Sequence, residues 1–307
     1  MSEARRCPKL EKSEGFSKSS FNRTARGAKQ LMNQPSGNKR PISEFANVAA
    51  LPFRILEERG IPCGYERSFK MRSNRLLANR YMLGIDTTEF SREELTKICN
   101  QLCMPDVYLE DFRKQLMGSN LMLLGFEHDG DACSYKIYLE YWNKLQVELM
   151  NGNPPHAAAL LHLGYKWDVF NDDRRTLARY ICYPKITVDE ILARIKLLYA
   201  NALDQSCYAI VQHIIKMASQ TCGDRDLIYI EAQEDGNSRR SFDVNLYQAS
   251  LQLDKIEQSL SRMQAHFDLC PDEFRRLLKL IMGKQLGHLS GGLDSRGDDF
   301  LTVYYEA

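Results

Sequence analysis

The sequence predicts an α+β fold, a ten-stranded antiparallel β-barrel built from five helix–strand–strand units and surrounded by helices. Three observations carry this expectation. Turn signals recur at Ser73-Asn74, Asp129-Gly130-Asp131, Asn171-Asp172-Asp173, Glu234-Asp235-Gly236-Asn237 and Asp294-Ser295-Arg296-Gly297. Asn, Asp and Gly tolerate the left-handed backbone that tight strand-to-strand turns require. Strand-like segments flank each turn, as in ALLHLGYKWDVF before the third and FLTVYYEA after the fifth. A helical stretch precedes each hairpin. A sheet of paired hairpins removes its exposed edges by closing on itself, and the helices then cover its outside.

In chain order, a short helix is expected around Ser43 to Arg59, interrupted near Pro52. YERSFKMR and RLLANRYMLGID form the first hairpin. Ser91 with Glu94 makes a capping box, and helical pattern runs from Glu93 to Met117 with a break near Pro105. NLMLLGFEH and ACSYKIYLEYW make the second hairpin. A linker with Gly152 and Pro154-Pro155 leads through a short Ala-rich helix to the third. Thr187 or Asp189 opens a helix whose Ile191, Leu192, Ile195 and Leu198 recur at helical spacing, and a second helix covers Ser206 to Ser219. DLIYIEAQ and RRSFDVNLY are the fourth hairpin. LDKIEQSLSRMQAHF and a helix opened by Pro271 precede the fifth.

Composition bounds the function. Lys and Arg number 41 against 40 Asp and Glu, so net charge supplies no case for a nucleic-acid or membrane partner. No apolar run approaches the ~20 residues of a membrane span, and the basic, polar N-terminus lacks the apolar stretch of a secretory signal. Nine cysteines, an odd count, fit a disulfide framework poorly, and a reducing cytoplasm is the expected compartment. Cys99 and Cys103 read as ordinary helix cysteines rather than a zinc site, so no metal ligands are assigned. Residues 1–40 read as a polar arm, either draped on the surface or docking a partner peptide, and 41–307 as a single barrel domain.

Alternation within the strands points to a site. In SFDVNLY, Phe242, Val244 and Leu246 alternate with Ser241, Asp243, Asn245 and Tyr247. In SYKIYLEY, Ile137 and Leu139 alternate with Lys136, Tyr138 and Glu140. Strand side chains change face with period two. If helices cover the barrel, the apolar face points out and the polar face lines a solvated chamber. The alternative, a sheet whose polar face meets water, leaves the helix blocks without an apolar surface to cover. Parity places the acids Glu66, Glu140, Glu231 and Asp243 inside, with Lys70, Arg80, Lys136 and Arg239 to balance them.

These segments resemble the ABBA prenyltransferases, and within them the cyanobactin-type peptide prenyltransferases (the TruF/LynF/PatF family). YERSFKM and LLANRYML in the first hairpin, LLGFEHDGDACSYKIYLEY in the second, LARYICYP in the third, RRSFDVNLY, and LGHLSGGLDSRGDDFLTVYYE carry the resemblance, over residues 42–307. It implies the PT-barrel fold and transfer of an isoprenyl group from dimethylallyl diphosphate to a side chain (Tyr, Arg, Trp or His) of a linear or macrocyclic peptide. It implies Glu66 as the residue that accepts the acceptor's proton or orients it. It implies Arg80, Lys136, Tyr138 and Arg179 as diphosphate contacts. Tyr304, with Tyr183, would shield the allyl cation, and Asp243 and Asn245 would hold water, Mg²⁺ or the acceptor backbone. Tyr229 and Ile230 would limit the donor's length and favour the five-carbon over the ten-carbon donor. Mg²⁺ is the expected cofactor, and a monomer with neither nucleic-acid nor membrane partner the expected state. An aromatic small-molecule prenyltransferase and a non-enzymatic isoprenoid- or peptide-binding barrel are the rival readings.

Two further motifs are read as turns. Asn171-Asp172-Asp173-Arg174-Arg175 resembles an aspartate-rich diphosphate motif but has Thr176 where a further acid is needed. Gly291-Gly292 with Asp294 and Gly297 resembles a phosphate loop, but no helix follows it. His288 is placed either in the chamber or in a structural role.

Overall fold

Period-two and helical patterns sort the chain into ten strands and, among the described residues, eight α-helices. The computed structural model describes residues 42–151, 157–200, 204–237 and 239–306. The polar arm expected over 1–40 lies outside these residues. The order is α1 (Ile42–Glu58), β1 (Gly64–Arg72), β2 (Arg75–Asp86), α2 (Arg92–Gln101), α3 (Asp106–Gln115), β3 (Leu121–Asp129), β4 (Ala132–Glu140) and α4 (Trp142–Met150). Then follow β5 (Ala159–Asp168), β6 (Asn171–Tyr183), α5 (Val188–Leu198), α6 (Ser206–Ser219), β7 (Ile228–Glu234), β8 (Arg240–Asn245), α7 (Glu257–His266), α8 (Pro271–Ile281), β9 (Leu286–Leu293) and β10 (Asp299–Glu306). Every strand pairs antiparallel with its sequence neighbours, and β1 pairs with β10 from Glu66↔Glu306 to Met71↔Leu301, which closes the barrel. The five hairpin turns gather at one end of the barrel and the helical crossovers at the other.

The core lies outside the barrel. Leu83, Ile85, Met122, Leu124, Ile137 and Leu139 face outward and pack against Ile55, Leu95, Ile98 and Phe112 of α1, α2 and α3. On the other side Phe242, Val244, Leu289 and Val303 pack against Ile191, Ile210, Ile214, Leu260 and Phe274 of α5 to α8. Both expected helix starts hold: Ser91 with Glu94 and Thr187 with Glu190 form capping boxes. No helix of the described residues is long and apolar enough to cross a membrane.

Three expectations need correction. Pro52 does not interrupt α1, which runs continuously through it. The proline lacks the N–H that would bond Val48, and its ring crowds that turn. Side chains from the barrel take up the carbonyls instead: Tyr135 donates to Val48 at 2.7 Å and Tyr81 to Ala49 at 2.6 Å. The third turn falls at Val169-Phe170, with Asp168 accepting the Phe170 amide at 2.9 Å, and Asn171 to Asp173 open β6. The helix around the Pro-rich linker precedes it as α4, whereas Ala159 opens β5.

Because the apolar face of the sheet looks outward, truncations there carry the stability. Ile137 is fully buried. Ile137→Ala is expected to lower unfolding free energy by about 2–5 kcal/mol in urea titration; a cost near zero would mean that the outward face is not the core.

Candidate active site

The inward face forms one chamber in two compartments. Toward the hairpin end, Lys70 (β1), Arg80 (β2), Lys136 (β4), Lys166 (β5) and Arg239 (before β8) converge. The first hairpin supplies two of them because Arg80 pairs with Ser68, which lies two residues from Lys70 on the same face of β1. Glu127 of β3 organises the group. It accepts from Lys136 Nζ and Lys166 Nζ, each at 3.0 Å, and makes an ion pair with Arg80 Nη2 at 3.2 Å. Arg239 pairs with Glu234, and Lys70 Nζ lies 4.2 Å from the centre of the Phe300 ring. Even so, Arg80 Nε and Nη1 and Arg239 Nε are buried with no hydrogen-bond partner. Orphaned guanidinium donors in a basic cavity are suited to anionic oxygens.

Burial sets the titration of this group. Desolvation pushes Lys136 down to about 7, against the pull of Glu127, and holds Lys70 well below the ordinary lysine range. Burial opposes ionisation of Glu127 too, but Lys136, Lys166 and Arg80 outweigh it and keep its pKa well below the carboxylate range.

A layer of tyrosines separates the compartments. Tyr138 (β4), Tyr180 (β6) and Tyr304 (β10) border both. The Tyr138 and Tyr180 rings meet edge-on with centroids 5.4 Å apart. Gly164 of β5 makes room for them, since a Cβ there would lie 2.8 Å from the Tyr138 ring and 3.1 Å from that of Tyr180. Burial raises the pKa of all three, so at neutral pH each keeps its proton.

Toward the helical end the chamber widens to about 590 Å³ and changes character. Its acids are Glu66, Asp86, Glu140 and Asp243, its histidines His162 and His288, and Leu123, Leu161 and Ile230 form part of an apolar wall. Glu66 Oε1 accepts from Tyr247 Oη at 2.6 Å. Gly287 permits that bond, because a Cβ there would lie 2.5 Å from the Tyr247 hydroxyl and 2.8 Å from Glu66. Burial raises the Glu66 pKa, with His288 and Tyr247 opposing. His288 Nδ1 bonds Asp243 at 2.7 Å. Burial disfavours its charge, but Asp243, Glu66 and Glu140 prevail and push its pKa up to about 9. Glu140 accepts from Asn120 at 2.9 Å and meets His162 Nε2 at 3.2 Å. Asn245 Oδ1 accepts the Tyr247 amide at 3.0 Å. At the rim, α4 contributes Trp142, Asn143 and Gln146.

The structure thus brings together Glu66, Arg80, Lys136, Tyr138, Asp243, Asn245 and Tyr304. It excludes Arg179, which is exposed and pairs with Asp235 outside the barrel. It excludes Tyr183 as well, which points outward, donates to Glu231 at 3.3 Å and stacks under Arg194. Glu231, expected inside, is the outward partner of Arg194 and Tyr229. Ile230 faces the upper compartment and Tyr229 does not. Sequence reasoning missed Glu127, Lys166, Tyr180 and His162, and it placed Tyr247 on the polar face without its contact to Glu66. The alternation of His162, Gly164 and Lys166 along β5 was the available signal for two of them.

The residues present do not fit a protein-held Mg²⁺ beside the basic group. Glu127 is taken by three cations, Glu234 by Arg239 and Asp243 by His288. Among the described residues, Cys207, His266 and Asp299 do gather within ligand range of one another, but none of them lines the chamber.

No protein-family model matches the sequence, and no curated protein is significantly similar to it. Solved structures do share the architecture. The ternary complex of the prenyltransferase PriB with L-tryptophan and dimethylallyl thiolodiphosphate superposes with a TM-score of 0.53 at 12% identity, over 79% of each chain. For 5-dimethylallyltryptophan synthase from Streptomyces coelicolor the TM-score is 0.52 at 11% identity, over 78% of this chain and 80% of that one. For AnaPT from Neosartorya fischeri it is 0.50 at 12% identity, over 79% and 78%. At such identities the likeness establishes the fold, which is the ABBA or PT-barrel.

The close approach at Gly164 is testable. Gly164→Ala should force the two tyrosine rings apart and cost about 1–3 kcal/mol in chemical denaturation. Unchanged stability would show that the rings re-pack freely and that the layer is not fixed.

Proposed function

We propose that this protein is a prenyltransferase that moves a dimethylallyl group from dimethylallyl diphosphate to a side chain of a peptide and releases diphosphate. The observation that carries the reading is the stacking of a basic compartment with orphaned guanidinium donors, a tyrosine layer and a buried carboxylate within one barrel. Sequence resemblance to the peptide-modifying branch and a fold shared with solved prenyltransferases both support it.

Each part has work in the reaction. Lys70, Arg80, Lys136, Lys166 and Arg239 bind the diphosphate and stabilise the negative charge that grows as its oxygen leaves C1 of the allyl group. The faces of Tyr138, Tyr180 and Tyr304 border the emerging allyl cation, stabilise it through their quadrupoles and keep water from it. The acceptor enters from the wide end, its nucleophilic atom forms the new bond to the allyl carbon, and Glu66 receives its proton. Tyr247 fixes the carboxylate, and burial makes it a stronger base than an exposed one. The charge is supplied by side chains, and no step needs a metal held by the protein. A peptide acceptor suits the volume of the upper compartment and its rim, where Asn143, Gln146 and the unpartnered indole N–H of Trp142 offer amide-like contacts to a backbone.

The direct test incubates the full chain with dimethylallyl diphosphate and a panel of linear and cyclic peptides, free tryptophan and free tyrosine, and reads masses. Gain of a dimethylallyl unit on a peptide supports the reading. Gain only on a free amino acid would move it to the small-molecule class, and donor binding without any transfer to the non-enzymatic one. Glu66→Gln is expected to slow turnover by about 10²–10⁴-fold while leaving donor affinity unchanged. Donor binding should also be linked to protons: a diphosphate beside Lys136, whose pKa is about 7 in the free protein, draws a proton onto it. Calorimetry at pH 8 in buffers of different ionisation enthalpy should therefore show proton uptake, with affinity falling as pH rises above about 7, and Lys136→Met should reduce the uptake, leaving the share of Lys70. Binding independent of pH would rule out this lysine as a phosphate contact.

A further inference from the structure

The two compartments carry opposite charge. Below the tyrosine layer five basic side chains outnumber the carboxylates Glu127, Glu234 and Asp243, the last of which borders both compartments; above it the described lining contains no lysine or arginine and has four carboxylates, Glu66, Asp86, Glu140 and Asp243. The orphaned donors fix which substrate goes where. The Arg80 side chain is only 7% exposed, lines the lower compartment and has two nitrogens without a partner, so the anionic substrate belongs below. The acids above would repel a diphosphate and therefore serve the second substrate.

We propose that the upper compartment selects a cationic acceptor, the guanidinium of an arginine side chain in the peptide. This rests on the prenyl-transfer reading above and names the acceptor within it. Of the upper groups only His162 and His288 can bear positive charge, and His288 stands among Asp243, Glu66 and Glu140. Enclosing a neutral phenol or indole over these groups would strip them of water and return no charge, which is costly. A guanidinium returns the charge and offers five N–H donors in a plane. It is also more weakly hydrated than an ammonium and stacks on aromatic faces, which favours arginine over lysine beside Tyr138, Tyr180 and Tyr304. Leu123, Leu161 and Ile230 suit the apolar stem of the side chain.

The step balances. A terminal guanidinium nitrogen gives a proton to Glu66, and the lone pair so freed forms the bond to the allyl C1. The C1–O bond breaks, with its electron pair leaving on the diphosphate. The alkylated guanidinium is again cationic, and Glu66 passes its proton to solvent as products depart.

The test uses the full chain and matched cyclic peptides that differ at one position, which holds Arg, citrulline, Lys, Tyr or Trp. Transfer to the Arg peptide is expected at a rate at least ~100-fold above that for citrulline, its uncharged near-isostere. Glu140→Gln, which keeps an acceptor for Asn120, should raise KM for the Arg peptide while donor affinity holds. Efficient transfer to the Tyr or Trp peptide, or equal rates for Arg and citrulline, overturns the guanidinium assignment and leaves prenyl transfer standing. No transfer to any peptide, with donor bound, overturns the assignment together with the peptide reading.

Discussion

Everything in this protein depends on a sheet turned inside out. Ten strands enclose more space than inward side chains can fill, so the interior keeps an open chamber. The apolar face must therefore look outward, and the helices are obligatory because that face is stable only under a cover. Ile137 and Leu139 anchor β4 to the helical shell, and the same alternation delivers Lys136, Tyr138 and Glu140 to the chamber. One strand thus contributes to the core, the basic compartment, the tyrosine layer and the acidic compartment.

Within the chamber, electrostatics are arranged before any ligand arrives. Glu127 holds Lys136, Lys166 and Arg80 at once, so three cations that would repel one another stay in place. The cost of that crowding is visible in the depressed pKa values of Lys136 and Lys70. An anion bound there would relieve it, and in the proposed reaction little reorganisation would be left for the moment at which leaving-group charge develops. The acids above belong to a different problem: Tyr247 holds Glu66 and Gly287 leaves room for that contact, a geometry that orients the carboxylate.

The fold was legible because four of the five hairpins turn where their Asn, Asp or Gly signals lie and two helices carry capping boxes. The site was legible only where strand alternation is clean. On β4 and β8 one face is apolar, so Lys136, Tyr138, Asp243 and Asn245 could be oriented from pattern. β6 begins with polar residues on both faces, and a shift of one residue reverses a strand; the basic Arg179 was expected inside and its neighbour Tyr180 is there instead. Tyr247 was placed on the polar face, but as the partner of Glu66 it was out of reach. It lies beyond β8 on a short 3₁₀ turn, and its partner Glu66 is 181 residues away. Glu127 sits in a polar stretch beside a turn, where nothing local distinguishes a buried hub from a solvated acid. Pro52 misled through tertiary rescue, because the carbonyls it frees are taken by tyrosines of distant strands.

The most direct measurement is a crystal structure of the full chain with dimethylallyl thiolodiphosphate, grown with a chelator present. The account predicts phosphate oxygens on Lys70, Arg80, Lys136, Lys166 and Arg239, with the allyl group against Tyr138, Tyr180 and Tyr304 and its C1 open toward Glu66. A diphosphate bound elsewhere, or ordered there only when Mg²⁺ is restored, would contradict it.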